Sequence, residues 1–243
     1  MRILVVSAHP DDEIIGMGGT LKKLSRNHDI SALFLAEGIT ARKKPGHKNS
    51  SNYSVSQNEK NKMDMEIEIR NKHSIKALKT VGVKKIKFLN YPDNELDTVT
   101  FLKIVKDVEK EISIHKPKII FTHHHNDLNI DHRIAYESTI TASRPLTTSP
   151  VESIFSFEAI SSTDWRSPYS FKPNFFVDIS KELPNKINAL SKYKKEIRPF
   201  PHPRSKQTID AVAKRWGSLY GFKAAEAFEL VMSRVSNFEK IFS

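Results

Sequence analysis

The sequence of 243 residues contains no cysteine. That excludes disulfides and thiolate metal sites, so any metal would have to be held by His, Asp or Glu side chains. Long apolar runs are also missing, and no stretch approaches the roughly 18 residues that a membrane span needs. A signal-peptide pattern is not seen either, because Met1-Arg2 runs straight into Ile3-Leu4-Val5-Val6. The expectation is a cytoplasmic protein with no membrane span. No internal repeat is found, and the length suits one sizeable core, read as a single domain over 1–243 with additional C-terminal helices.

What the chain does have is positive charge: 39 Lys and Arg stand against 28 Asp and Glu, a formal +11. Such an excess favours anionic partners, among them nucleic acid, acidic lipid surfaces and phosphate-bearing small molecules. Most of the lysines are scattered over helix faces, and no DNA-reading helix or RNA-stacking signature is present. Specific nucleic-acid binding is therefore the lesser reading. Arg42 to Lys62 differs in kind, carrying six Lys or Arg against one Glu and almost nothing apolar. It is read as a mobile basic insertion at 42–62, either a cationic flap near a site mouth or an idle loop.

Apolar runs at 3–6, 30–35, 85–89 and 119–121 predict buried strands. Helical periodicity over 63–81 and from Phe101 to Ile112 falls between them. Strands and helices in this rhythm predict an α/β fold, a Rossmann-like, mostly parallel sheet with helices on both faces. Further strands are predicted near 151–157 and 175–179, and helices over 183–197, 209–220 and 224–232.

Chemistry gathers where two of these strands end, which is where open α/β sheets keep their sites. After the first strand comes Ser7-Ala8-His9-Pro10-Asp11-Asp12-Glu13. In a turn, His9 and Asp12 can offer one imidazole nitrogen and one carboxylate oxygen to a borderline cation such as zinc. Asp11 would then lie beside the attacking water as general base. Adjacent acids also serve as solvated loop or helix N-cap, and a glycine loop for a dinucleotide phosphate is a further alternative. The latter fits poorly, because acidic residues occupy the place of the pyrophosphate.

The second cluster, Thr122 to Arg133, follows the strand Ile119-Ile120-Phe121 and holds four histidines and two aspartates within ten residues. A pair of ligands from one loop and a third from another strand end is the layout of a catalytic metal site. His123, His124 and His125 are individually read as surface residues, whereas His132 is distinguished by the apolar spacing residue Ile130 and by Asp131 next to it. Near the C-terminus, Pro199-Phe200-Pro201-His202-Pro203-Arg204 is a proline-stiffened segment holding an imidazole and a guanidinium.

Ala8-His9-Pro10-Asp11-Asp12-Glu13 together with Asn129-Ile130-Asp131-His132 resembles the LmbE-like, or PIG-L, family of zinc-dependent N-deacetylases. The likeness continues through Glu37-Gly38-Ile39-Thr40, Arg70, Leu89-Asn90-Tyr91-Pro92-Asp93, His202-Pro203-Arg204-Ser205 and Ala225-Glu226-Ala227-Phe228. The resemblance implies one Zn2+ per chain held by His9, Asp12 and His132, with Asp11 as base. It also implies an N-acetylated amino sugar or conjugate as substrate, with Arg70 reaching it. Two departures stand out. Asn129 replaces a frequent His, and Asn cannot carry a proton at neutral pH; it is read as a substrate contact. His73 stands where an acid often follows the Arg, leaving the partner of Arg70 open.

The mechanism expected from zinc chemistry has Asp11 taking the proton of the attacking water, with the amide carbonyl oxygen becoming a tetrahedral oxyanion. Asp131 would orient a ligand imidazole. The leaving amine would be protonated by Asp11 or by His202, with His124 and His125 as further candidates. An amidase acting on another acyl amine remains an alternative. The substrate is expected to be anionic, with nucleotide- and lipid-linked conjugates both fitting that expectation, and a homo-oligomer is left open.

Overall fold

A computed structural model describes residues 1–42 and 56–234. Seven strands form one sheet: β1 (Arg2–Ser7), β2 (Asp29–Ala36), β3 (Lys85–Tyr91), β4 (Ile119–His123), β5 (Ser153–Phe157), β6 (Phe175–Asp178) and β7 (Ala225–Ser233). Their spatial order is β3-β2-β1-β4-β5-β7-β6. The pairs β1–β2, β1–β4, β2–β3 and β4–β5 are parallel, whereas β7 runs antiparallel to both β5 and β6. The predicted α/β class and mostly parallel sheet are what the chain adopts.

The apolar run of β1 is continuous because both faces of the strand are covered. Ile3 and Val5 join one core with Ile14, Met17, Leu21, Leu78 and Leu190. Leu4 and Val6 join the other, with Ile104, Val108, Ile134 and Ala135. Helices α1 (Asp12–Leu24), α2 (Gln57–Thr80) and α5 (Leu183–Leu190) thus lie on one face, and α3 (Phe101–His115) and α4 (Ile130–Ala142) on the other. A sixth helix, α6 (Lys206–Leu219), packs beside β7.

Four local predictions need correction. The segment 224–232 is not a helix but β7. Its Ala, Glu, Leu and Met favour helix, yet the slot between β5 and β6 pairs its backbone on both sides, and tertiary pairing overrides propensity. The helix predicted to run to 197 ends at Leu190, and the turns that follow bring both Tyr193 and Glu196 inside. Helix α2 starts at Gln57 rather than Met63, on a capping box in which Ser56 and Glu59 satisfy each other's backbone amides. Residues 57–62 of the basic insertion are therefore the opening turns of a helix, while 43–55 lie outside the described residues. Last, Ile130 to Ala142 is a helix capped by the Asn129 side chain, which accepts from the Asp131 amide. Asp131 and His132 thus sit on a first helical turn instead of a loop.

Gly16 explains how α1 lies so close to β5: a Cβ there would fall 2.4 Å from the Phe157 ring. The glycines after the acidic motif serve helix packing. Among the described residues, no helix is long and apolar enough to cross a membrane.

Candidate active site

The chain leaves β1 toward β2 on one side, while β4 pairs on the other. This reversal opens a crevice at the carboxyl ends of the two strands. His9 lies two residues past β1, Asp12 opens α1, and His132 stands on the first turn of α4. All three are buried, with exposures of 6 %, 1 % and 1 %. His9 Nδ1 and His132 Nε2 are 3.3 Å apart, and Asp12 Oδ2 lies 3.3 and 3.2 Å from them.

The outer side of each ring meets a carboxylate. His9 Nε2 is 2.9 Å from Asp131 Oδ2 and 3.2 Å from Asp93 Oδ1, and His132 Nδ1 is 3.2 Å from Asp127 Oδ2. With a cation on the inner side, the ring protons would sit on the outer nitrogens facing these carboxylates, and the two inner nitrogens and Asp12 Oδ2 would face the cation. Asp12 Oδ1, buried and without a hydrogen bond, is a further free donor atom. Two imidazoles and one carboxylate are a donor set for a catalytic divalent metal with positions left for water and substrate.

The electrostatics agree. Burial alone would strip charge from these groups, but the carboxylates of Asp12 and Asp127 raise His132 to about 9. Asp12, Asp131 and Asp93 likewise outweigh burial at His9 and raise it. At Asp12, burial is overcome by His132, then by His9 and His123, and its carboxyl stays well below the usual range. The cluster is built to attract positive charge.

Asp11 adjoins this cluster with φ at 130°, a region that non-glycine residues rarely enter and that costs on the order of 1–3 kcal/mol. Its two oxygens face two guanidiniums, Oδ1 at 3.2 Å from Arg70 Nη2 and Oδ2 at 3.0 Å from Arg204 Nη1. Burial pushes the Asp11 pKa up, Arg70 and Arg204 pull it down, and the balance leaves it raised. Arg70 also donates to the Pro10 carbonyl at 2.8 Å and to Glu196 Oε1 at 2.5 Å. Its partner is thus Glu196, which also accepts from Arg42 at 2.8 Å and lies 3.6 Å from Arg204. Gly38, with φ at 74°, leaves room for this guanidinium, which a Cβ would meet at 2.9 Å.

A cavity of about 110 Å3 opens on these groups, lined among others by His9, Asp11, Asp12, His132, Arg70 and Arg204. Asn129 is at its edge, capping α4 and donating from Nδ2 to Asn94 Oδ1 at 2.8 Å. His202 does not line it. Its Nδ1 accepts from the Arg204 amide at 3.0 Å and its ring meets Trp165, so the segment delivers Arg204 to Asp11 instead.

His123 and His124 are fully buried, which corrects their reading as surface residues. His123 stacks on His132 with ring centroids 3.9 Å apart, and its Nε2 accepts from the Ala8 amide at 2.9 Å. Burial and the neighbouring His132 keep its pKa well below the ordinary value. His125 is exposed, as expected.

Sequence reasoning missed Asp127, Glu196 and the role of Arg204. Asp127 accepts from the neighbouring Asn129 amide and from Ser162 and Thr163, and only the folded chain brings the latter two near. The one available signal was Asp127 itself, a buried-strand neighbour within the histidine-rich stretch.

Residues 4–143, more than half of the chain, match the family model described as PIG-L: GlcNAc-PI de-N-acetylase. The chain belongs to the PIG-L family. Over 246 aligned residues it is 26% identical to the diacetylchitobiose deacetylase of Thermococcus kodakarensis, covering 95% of this chain and 83% of that protein. It superposes on the N,N'-diacetylchitobiose deacetylase of Pyrococcus horikoshii with a TM-score of 0.72 at 23% identity, covering 99% of this chain and 88% of that one. A hydratase, the 4-carboxy-2-hydroxymuconate hydratase GalB of Pseudomonas putida, shares the fold at a TM-score of 0.73 and 16% identity, with 97% and 98% covered. The scaffold therefore hosts more than one chemistry, and the reaction has to be argued from the site.

Proposed function

We propose that the protein is a zinc-dependent N-deacetylase releasing acetate from an amino sugar, or amino-sugar conjugate, of the N-acetylglucosamine type. The observation that carries this reading is the convergence of His9 Nδ1, Asp12 Oδ2 and His132 Nε2 within 3.3 Å, with Asp11 adjoining. The deacetylase relative that aligns along 95% of the chain supports it.

His9, Asp12 and His132 would hold the metal. When bound, zinc supplies Lewis acidity that polarises the acetyl carbonyl and acidifies the attacking water. Asp11 takes the water proton on a carboxylate oxygen as the oxygen–carbon bond forms. The two arginines fix both of its oxygens in place. Collapse of the tetrahedral oxyanion breaks the carbon–nitrogen bond, and protonated Asp11 returns its proton to the departing amine. His202, expected as an alternative acid, stands outside the cavity lining.

Asp131 and Asp127 hold the two imidazoles in the ligating orientation. Asn129, paired with Asn94 at the cavity edge, is placed to meet a sugar hydroxyl. Arg70 acts first on Asp11 and lines the floor on which the acetyl group would rest.

The test is metal analysis of the purified protein together with amine release from diacetylchitobiose. About one zinc per chain and chelator-sensitive release are expected, with both lost in His132→Ala. Undiminished release from metal-stripped protein would overturn the assignment.

A further inference from the structure

We infer that His124, His125 and Glu229 form a second divalent-cation site, suited to zinc, that ties the loop after β4 to β7. None of the three lines the catalytic cavity, and the inference stands independently of the deacetylase reading. Successive side chains along a strand face opposite ways, and the alternation carries on past the end of β4. His123 meets His132 and the Ala8 amide, whereas His124 meets the Phe171 ring and Glu229 of β7.

The signal is a buried nitrogen that lacks a partner. His124 is fully buried, and among the described residues its Nε2 has no hydrogen bond, a condition that native structures rarely leave unexplained. Glu229 Oε2 nevertheless lies 3.3 Å from it. Two donors that each sit about 2.0–2.1 Å from one tetrahedral zinc stand about 3.3–3.4 Å apart, so the spacing suits a shared cation. The other Glu229 oxygen, Oε1, accepts from the Lys172 amide, which fixes the carboxylate and leaves Oε2 for the site. His125 completes the set. Its ring centroid is 4.2 Å from that of His124, and donor atoms of the three residues lie within 4.8 Å of one another. His125 is exposed, so its side chain is free to turn and close the remaining gap. Two imidazoles and one carboxylate are donors that zinc accepts, whereas magnesium and calcium prefer a shell of oxygens.

This site is weaker than the one built on His9, Asp12 and His132. One ligand has to be ordered from solvent. His124 Nδ1 also accepts from the Asn126 amide at 3.3 Å, and a cation on Nε2 places the ring proton on Nδ1, so this long hydrogen bond is given up. The second site is thus empty after purification and fills when zinc is added. The loop it would tie down is the one that carries Asp127, which stands 3.2 Å from Nδ1 of His132.

The experiment titrates the full chain, purified with its first zinc, with further Zn2+ in the presence of a chromophoric chelator, and follows the melting temperature. The parent should take up a second equivalent and melt higher, because a ligand held by the folded state alone stabilises it. In Glu229→Gln, which keeps the shape of the side chain, and separately in His125→Ala, affinity for that equivalent should fall by about tenfold or more, and the rise in melting temperature should vanish with it. Amine release by Glu229→Gln carrying one zinc should match the parent, and His132→Ala should retain only the weaker equivalent. Failure of the parent to take up a second equivalent overturns the site. So does uptake that survives both substitutions, which is adventitious surface binding. Absence of amine release counts against the deacetylase reading alone, and the second site is then decided by the titration of Glu229→Gln and His125→Ala against the parent.

Discussion

Asp127 Oδ2 stands 3.2 Å from Nδ1 of His132, while the other nitrogen of that ring faces Asp12 at 3.2 Å. One carboxylate thus faces the imidazole from behind as another stands where it would share a cation in front. Asp127 is itself held by two hydroxyls, from Ser162 and Thr163, so the ring has little freedom to turn. Asp127→Asn keeps the shape and removes the charge. Zinc affinity, measured against a chromophoric chelator, should fall about 10- to 100-fold with the melting temperature little changed. Unaltered affinity would remove Asp127 from this role.

Asp11 is separable from the metal set. Asp11→Asn should retain stoichiometric zinc while turnover drops by about 10²- to 10⁴-fold, the usual contribution of a positioned base. Steady-state amine release together with metal content checks it, and near-parental turnover would reassign the base.

Glu13 carries a pH signature in stability. Its side chain accepts from the Tyr193 hydroxyl at 2.9 Å and from the Asp11 amide at 3.0 Å, and burial raises its pKa to about 8 from an ordinary 4.5. Between those two values the folded chain holds a proton that the unfolded chain has released. Stability from this group is therefore fully present below about pH 4.5 and is lost as pH rises toward 8. The slope is at most about 1.4 kcal/mol per pH unit. Glu13→Gln should flatten the dependence of the urea midpoint over that window, and an unchanged slope would show that Glu13 does not titrate there.

Gly16→Ala tests the packing of α1. The added methyl would press on the Phe157 ring, and overpacking of this kind costs ~1–3 kcal/mol. A fall in urea midpoint of that size is expected, with zinc stoichiometry retained by the molecules that remain folded.

The legible parts of the chain were those with local signals. A double-sided apolar strand ending in His9-Pro10-Asp11-Asp12 announced both the sheet and two of the three candidate metal ligands. His132 stood out from the other three histidines by Ile130 and Asp131 beside it and by the family resemblance, and the fold brings it to His9 and Asp12. What stayed hidden depends on distant partners. Helix α4 begins on a cap, Asn129, that looks like loop, and β7 has a helix former's composition but sits in a sheet slot. His202 is the residue of its segment that proton chemistry points to in the sequence. The fold instead turns the guanidinium toward Asp11, across 193 residues of sequence. Glu196 gave no warning at all, since its value lies in gathering three arginines from separate elements.

The candidate ligands His9 and His132 are 123 residues apart, and β1 meets β4 only after β2 and β3 have been laid down between them in sequence. In a chain made from its N-terminus, the three candidate donors would therefore be complete only once α4 has been made, and Glu196 and Arg204 follow later still. Metal acquisition would be a late reporter of folding, and before Arg204 is made Asp11 would have Arg70 alone beside it.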